Sequence, residues 1–386
     1  MKSTFENDTL TIFLEGSVDT SNADEVSKAI DDIRIENPNG KLVLDLEDLK
    51  YISSAGLRVI LRLRKKEAQF KIINCSSEVY DIFEMTGFAE MMDIEKGYRK
   101  ISIEGCEVIG EGSIGIVYRL NPDTIIKVYK NNDALESIKR ERELAKTALV
   151  LGINTAIPFD VVKVGDKYGS VFELLSAKSL TKYMLADKEN KDKYIKIFTD
   201  MLKEIHNTYV KPGTLPKVKD QALSWVEWLK NYLDEDIYNK LIKMVSEVPD
   251  LDTMIHGDYH ANNVHYANDE AILIDMDTLA VGHPVFEFAS IYLAYQGYGE
   301  VDHRKVSDFI KLDWDSSAYL WHKLIDLYFD DKDEKFKEDV KDKARLIGYI
   351  RCLRRTLKRE PENIALIEHS KKSLIELANK LDSLSF

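Results

Sequence analysis

Two rhythms of apolar and polar residues divide the chain. In the first hundred residues, short apolar runs at 10–14, 41–46 and 70–75 read as strands. Between them lie stretches of helical spacing: Val26, Ile30 and Ile33 behind a cap at Ser21 or Asn22, then Leu57, Ile60, Leu61 and Leu63, then 79–92. Strands alternating with helices predict an α/β module, a sheet with helices packed on it. The polar stretch Asp93 to Lys100 reads as a linker, so the module is placed at 1–98.

From 99 to 175 the pattern becomes one of hairpins. Ile116-Val117-Tyr118 is followed by the turn Asn121-Pro122-Asp123 and a second apolar run, 125–128. A helix carrying Ile138, Ala145 and Ala148 ends at Gly152, and 161–164 with 169–174 form another hairpin around Gly165-Asp166. Beyond 176 the spacing is helical. Tyr194, Ile195, Phe198, Met201, Leu202 and Ile205 make a stripe that ends at His206, read as a core residue. Trp225, Trp228 and Leu229 continue in that style, and four helical stretches follow near 303–311, 314–329, 333–359 and 362–382. The charge-rich stretch 332–343 reads as solvated helix surface.

The chain has 386 residues, enough for two or three domains with separate cores. Its net charge of −13 argues against broad binding to nucleic acid or anionic membranes, which require basic footprints. Cys75, Cys106 and Cys352 lie far apart, without a CxxC pattern, as suits a reducing cytoplasm. The polar N-terminus lacks a secretory core, and no apolar run reaches the roughly 18 residues of a membrane span.

The richest chemistry lies at 255–277. His256-Gly257-Asp258 follows an apolar lead-in, Asn263 comes five residues after Asp258, and a second apolar run ends on Asp275. Asp258 is a candidate proton acceptor; Asn263 and Asp275 offer oxygen ligands suited to Mg2+. A base beside hard-metal ligands, without a Cys or Ser nucleophile nearby, fits phosphoryl transfer. Two blander readings compete: a buried turn with a satisfied Asp, or zinc ligation by His256, His260 and His265, which lacks a clear zinc spacing.

Upstream, Gly110-Glu111-Gly112-Ser113-Ile114-Gly115-Ile116-Val117 fills the pattern G-x-G-x-x-G-x-V. Dinucleotide-binding proteins share the glycine spacing but open a helix there, whereas a hairpin follows here. Lys127 ends an apolar run and needs an anionic partner. Glu141 shares a helical face with Ile138, Ala145 and Ala148, while Glu143 falls on a more polar side, so Glu141 is the candidate.

His-Gly-Asp, four residues, Asn, then an Asp after an apolar strand, behind such a glycine loop, resembles the aminoglycoside phosphotransferase and choline kinase branch of protein-kinase-like folds. The resemblance implies an α+β bilobal domain at 99–386, with a β-rich N-lobe (99–175) and a helical C-lobe (176–386). It implies that Gly110, Gly112, Ser113, Gly115, Val117, Lys127 and Glu141 serve ATP, and that the Glu173 carbonyl and Leu175 N–H meet the adenine edge. It also implies Asp258 as catalytic base and Asn263 and Asp275 as Mg2+ ligands. His283 and Glu287 depart from the family's G-D-P-x-x-D pattern; Glu287 can still bond backbone near the catalytic loop. Only about a dozen residues separate Asp275 from the next helix, too few for a protein-kinase activation segment, which points to a small-molecule acceptor. Asp and Glu residues of the C-lobe are candidates to hold a cationic substrate.

The N-terminal module, with E-G-x-x-D after its first strand and then Tyr51-Ile52-Ser53-Ser54-Ala55-Gly56-Leu57, resembles the STAS domain of anti-sigma-factor antagonists. The resemblance places a phosphorylatable Ser at Ser54, at a helix N-cap. Ser53 stands where that family usually carries an acidic residue. Three functions follow: an ATP- and Mg2+-dependent small-molecule kinase with a STAS-like regulatory or docking module for a protein partner, a signalling kinase acting on Ser54, and a nucleotide sensor without turnover.

Overall fold

The computed structural model describes residues 1–67, 70–112 and 114–386. The chain forms two compact units: Met1–Ser102 with Val161–Tyr168, and Ile103–Asp160 with Gly169–Phe386.

In the first unit, a five-stranded sheet runs in the order Lys2–Glu6, Thr9–Phe13, Lys41–Asp45, Phe70–Cys75, Asp93–Lys96. The first pair is antiparallel, the remaining pairs parallel. Helices Ala23–Glu36, Ser54–Lys66 and Ser77–Met85 supply the crossovers that parallel strands require. Leu10, Ile12, Leu42, Leu44, Ile72, Ile30, Ile60 and Phe83 are all buried in one core. The α/β expectation holds, with two corrections. Part of the supposed linker is the strand Asp93–Lys96, paired with Phe70–Cys75; its charged residues concealed an edge strand. Ser53, not Ser54, is the helix cap: its Oγ accepts from Ala55 N at 3.1 Å and Gly56 N at 3.4 Å. Ser54 is exposed in the first helical turn.

In the second unit, Val108–Glu111, Gly115–Arg119 and Thr124–Tyr129 form successive antiparallel strands. Lys167–Glu173 pairs with Thr124–Tyr129 on its other side. Helix Leu135–Val150 packs against the turn Met276–Thr278. The remainder is mainly helical, with short strands such as Val264–Ala267 and Glu270–Leu273, and is built around Val285–Tyr295, whose eleven residues are all buried. A helix apolar all round belongs at the centre of a bundle, and here it carries Glu287 and Ser290 into the interior. Helices Lys191–Asn207, Trp314–Tyr328 and Glu334–Arg359 surround it. His206 is a core residue as expected: Nδ1 lies 2.9 Å from Tyr328 Oη, and burial pushes its pKa down to about 3. The stretch 332–343 corrects another expectation. Lys337, Lys341 and Lys343 are buried, their stems packed while their ammonium groups meet Glu334, Glu338 and Asp339.

Candidate functional site

The loop His256–Asn263 is fixed by backbone geometry and by groups arriving from the core. Gly257 has φ +83°, and a Cβ there would stand 2.7 Å from Thr278 O, so only glycine fits between His256 and Asp258. Glu287 accepts from His256 N at 2.5 Å and Gly257 N at 3.0 Å. Tyr259 Oη donates to Phe198 O at 2.6 Å, and Ala261 N donates to Tyr295 Oη at 2.8 Å. Arg351 Nη1 donates to Gly257 O at 3.1 Å.

The same loop is stapled to the strand end that carries Asp275. Ile274 N donates to Asn263 O at 2.9 Å, and His256 Nε2 lies 3.2 Å from Ile274 O. Asn263 Nδ2 donates to Asp258 O at 3.1 Å, which commits its amide nitrogen to the loop and leaves the side-chain oxygen as an acceptor. Asp275 has φ +66°, turning the chain just beyond strand Glu270–Leu273. Its Oδ1 is buried without a hydrogen-bond donor among the described residues, 3.5 Å from Lys127 Nζ.

Lys127 joins this region to the sheet. Its Nζ donates to Glu141 Oε1 at 2.8 Å, and Tyr129 Oη donates to the other oxygen of Glu141. Burial opposes the Lys127 charge, but Asp275 and Glu141 outweigh it and raise its pKa. Glu141 is buried, whereas Glu143 is exposed and pairs with Lys146 at 3.0 Å. The helical-face argument thus picked the carboxylate that meets Lys127.

Carboxylates outnumber ammonium groups here. Burial, then Asp275 and Glu141, push Asp277 up to about 7 despite Lys127, with Asp258 adding to the rise. Crowded carboxylate oxygens, one of them undonated, are the type of donor a hard divalent cation takes, although no cluster of three or more Asp, Glu, His or Cys side chains is placed to hold a metal among the described residues. The three histidines do not form a zinc set: His256 serves the loop backbone, His260 Nε2 lies 3.6 Å from Asp258, and His265 bonds the Ala177 backbone. Burial pushes Asp258 up, but His260, Arg351 and His256 prevail and hold it down at about 2.

The glycines of the hairpin divide into two kinds. A Cβ on Gly115 would meet Val128 O at 2.8 Å, so the neighbouring strand demands glycine. Gly110 and Gly112 have no atom closer than 3.9 Å to such a Cβ and no left-handed φ, so nothing in the fold requires them. Val117 pairs with Lys127 across the hairpin. Ser113 lies outside the described residues. At the other candidate edge, Ile157 N donates to Glu173 Oε2 at 3.4 Å, Leu174 N donates to Asp123 O at 2.8 Å, and Leu175 N has no partner among the described residues.

A cavity of about 410 Å³ opens beside Asp258, lined among others by Ser290, Tyr298, Lys305, Arg351, Arg355 and Glu360. Its lining carries three cationic side chains, Lys305, Arg351 and Arg355, and two carboxylates, Asp258 and Glu360. Sequence reasoning missed Tyr129, Asp277 and Arg351. Tyr129 was within reach, two residues beyond Lys127 on the same strand face. Arg351 meets the loop from a helix more than ninety residues away, and no local pattern marks it.

Glu287 gives this frame a pH dependence. Burial lifts its pKa to about 7, against the pull of the Gly257 and His256 N–H groups. A carboxyl raised from the ordinary value near 4.5 contributes stability that is full below that value and fades as pH rises through 7. Glu287→Gln should therefore flatten the fall in the second unit's stability between pH 5 and 8 relative to the wild type, a difference of a few kcal/mol at most. Parallel denaturation midpoints for both proteins across that range would refute this assignment.

Comparison with known proteins bears on both units. Residues 1–101 match the model of the STAS domain, and residues 105–318 match that of the phosphotransferase enzyme family. The N-terminal part is 32% identical over 85 residues to BtrV of Bordetella bronchiseptica, whose name describes it as an anti-sigma factor antagonist; the match covers 21% of this chain and 72% of that protein. A thermostable mutant of aminoglycoside phosphotransferase APH(4)-Ia in its apo form is similar in structure, with a TM-score of 0.50 and 12% identity over 72% of this chain and 97% of that one. ADP-bound aminoglycoside phosphotransferase APH(2'')-Ib gives a TM-score of 0.49 and 18% identity over 73% and 94% of the two chains. The likeness to APH(4)-Ia speaks to fold alone. With more than half its length matched by the one model and its first hundred residues by the other, the chain belongs to the phosphotransferase enzyme family and carries a STAS domain at its N-terminus.

Proposed function

We propose that the protein is an ATP- and Mg2+-dependent phosphotransferase acting on a hydroxyl of a small molecule, with its STAS domain as a regulatory or docking module for a protein partner. The observation that carries this reading is the convergence of Lys127, paired to Glu141 and Asp275, with the loop that holds Asp258 and Asn263. Lys127 would hold the α- and β-phosphates, and the hairpin with Gly110, Gly112 and Gly115 would lie over them. The Glu173 carbonyl and Leu175 N–H would take the adenine edge. Asn263 and Asp275 would hold Mg2+, which supplies charge neutralisation on the phosphates.

In the reaction, the acceptor oxygen bonds to the γ-phosphorus as the bond to the β–γ bridging oxygen breaks, and ADP leaves. The acceptor proton passes to the Asp258 carboxylate and then to solvent. A carboxylate with a pKa near 2 is a weak base. Its contribution is orientation: it accepts the hydroxyl hydrogen bond and aims the oxygen, the demand a loose phosphoryl transition state makes. The two APH relatives are named for phosphorylating aminoglycosides, in keeping with a small-molecule acceptor. Among the described residues no helix is long and apolar enough to cross a membrane, and all three cysteines are free, in keeping with a cytoplasmic site of action.

One observation favours a second reading, in which the kinase phosphorylates Ser54 of its own or a partner's STAS domain. Ser54 is exposed in the first turn of its helix, where added phosphate meets the positive dipole end and changes docking charge.

Asp258→Asn should lower turnover by roughly 10²–10⁴-fold while ATP affinity stays within a few-fold; wild-type rates would remove Asp258 from the mechanism. Gly112→Val should leave thermal stability nearly unchanged and weaken ATP binding at least ten-fold, since only a ligand would collide with the new side chain. Unchanged nucleotide affinity would mean that no phosphate approaches this loop. Mass spectrometry after incubation with Mg·ATP separates the two functions. Asp258-dependent phosphate on Ser54 favours signalling; an unmodified chain releasing ADP only with an added alcohol favours the small-molecule kinase.

A further inference from the structure

The cavity beside Asp258 bears on what the acceptor is. This inference rests on the reading of Asp258 as the residue that meets the acceptor hydroxyl. In a chain of net charge −13, the cavity lining gathers Lys305, Arg351 and Arg355 against only Asp258 and Glu360. Glu360 is shared at arm's length between Lys305, at 3.4 Å, and Arg355, at 3.9 Å, so neither cation is fully satisfied by it. The guanidinium of Arg355 lies 4.9 Å from the centre of the Tyr298 ring, which holds its plane without neutralising it.

Arg351 and Arg355 stand one turn apart on helix Glu334–Arg359, so both address the same side of it. Among the described residues Arg351 donates hydrogen bonds through Nη1 alone, 3.1 Å from both Gly257 O and Ser290 Oγ, and its guanidinium lies 5.5 Å from the centre of the Trp225 ring. Its remaining N–H groups form the fork that matches a carboxylate or phosphate. A polyamine here would bring ammonium groups against two guanidinium groups. At about 410 Å³ the space also lies toward the small end of the roughly 300–1,000 Å³ usual for ligand sites.

We propose that the acceptor is a small alcohol bearing its own anionic group, a hydroxy acid or a phosphorylated polyol, whose anion is held by Arg351 and Arg355 while its hydroxyl faces Asp258. Arg351, tied to Gly257, links anion recognition to the position of the loop. Lys305 and Glu360 form the rim, where an arriving anion displaces the shared carboxylate from Arg355.

The test is calorimetric titration of the full chain in Mg·ADP with glycerol 3-phosphate, D-glycerate, glycerol, choline and kanamycin, alongside ADP release from Mg·ATP with the same alcohols. At least one anionic alcohol should bind ten-fold or more tightly than glycerol, and its binding should weaken with added NaCl. The phosphate and carboxylate arms identify which anion the fork prefers. Arg355→Gln should weaken that binding ten- to a hundred-fold, and Arg355→Glu should turn preference toward choline. Arg351→Lys should also weaken it, but Arg355 is the decisive position because Arg351 supports the loop. Binding or turnover of choline or kanamycin in preference to both anions overturns the proposal, as does failure of both anions to bind. Mg·ATP affinity, measured separately, tests the kinase reading: loss of ATP binding with anion binding intact sinks that reading alone.

Discussion

One buried ammonium among crowded carboxylates sets the terms for the second unit. Lys127 Nζ meets Glu141 at 2.8 Å and Asp275 at 3.5 Å, tying a sheet strand, a helix and the turn after the 270–273 strand to one charge. Removing one partner of a buried pair costs about 3–5 kcal/mol, because the other is left uncompensated. The three elements therefore hold one another in place only while that charge is balanced. The balance is incomplete: Asp277 is displaced to about 7 by burial and by Asp275 and Glu141, and Asp275 keeps a buried oxygen without a donor. On the proposed reading, a cation arriving at this surplus of carboxylate oxygens would relieve it and let phosphate lie beside it.

Where a role depended on short sequence separation, the chain was legible. Gly257 sits inside the His256-Gly257-Asp258 run, and its φ of +83° with Thr278 O close by gives the steric reason for a glycine there. Glu141 was separable from Glu143 because a 3.6-residue period sorts two nearby carboxylates onto different faces. The strand Asp93–Lys96 was lost because edge strands carry charge to discourage further pairing, so polarity imitated a linker. The buried lysines at 337, 341 and 343 were lost because a long aliphatic stem can be covered while its head is paired, and periodicity scores them as polar. Arg351 was beyond any local reading, since its contact with Gly257 O is made by tertiary packing alone.

Tertiary packing also explains why the loop tolerates its departure from the family pattern at Glu287. The longer side chain comes from the first turn of a wholly buried helix and still reaches the His256 and Gly257 N–H groups. An unpaired N–H buried there would cost about 1–3 kcal/mol, so the helix position and the side-chain length must be matched. His206, 4.0 Å from Glu287 and held neutral by burial, closes the far side without adding charge. The groups that position the loop thus lie in the core, whereas Asp258 itself is only partly buried.

Two aspartates, Asp258 within this loop and Asp277 beyond strand Glu270–Leu273, are driven in opposite directions. Asp258 is held at about 2 by His260, Arg351 and His256, while Asp277 is lifted to about 7 by burial and its acidic neighbours. Environments that split like residues this far assign them different work. On the proposed reading, a carboxylate that so resists protonation cannot store the acceptor's proton ahead of transfer. It can only orient the hydroxyl and receive the proton late, once bonding to phosphorus has acidified the oxygen. The same positive potential that keeps Asp258 ionised extends into the cavity through Arg351 and Arg355. On the proposed reading, one arrangement of charge would both keep Asp258 able to accept the hydrogen bond and select which molecules present a hydroxyl to it.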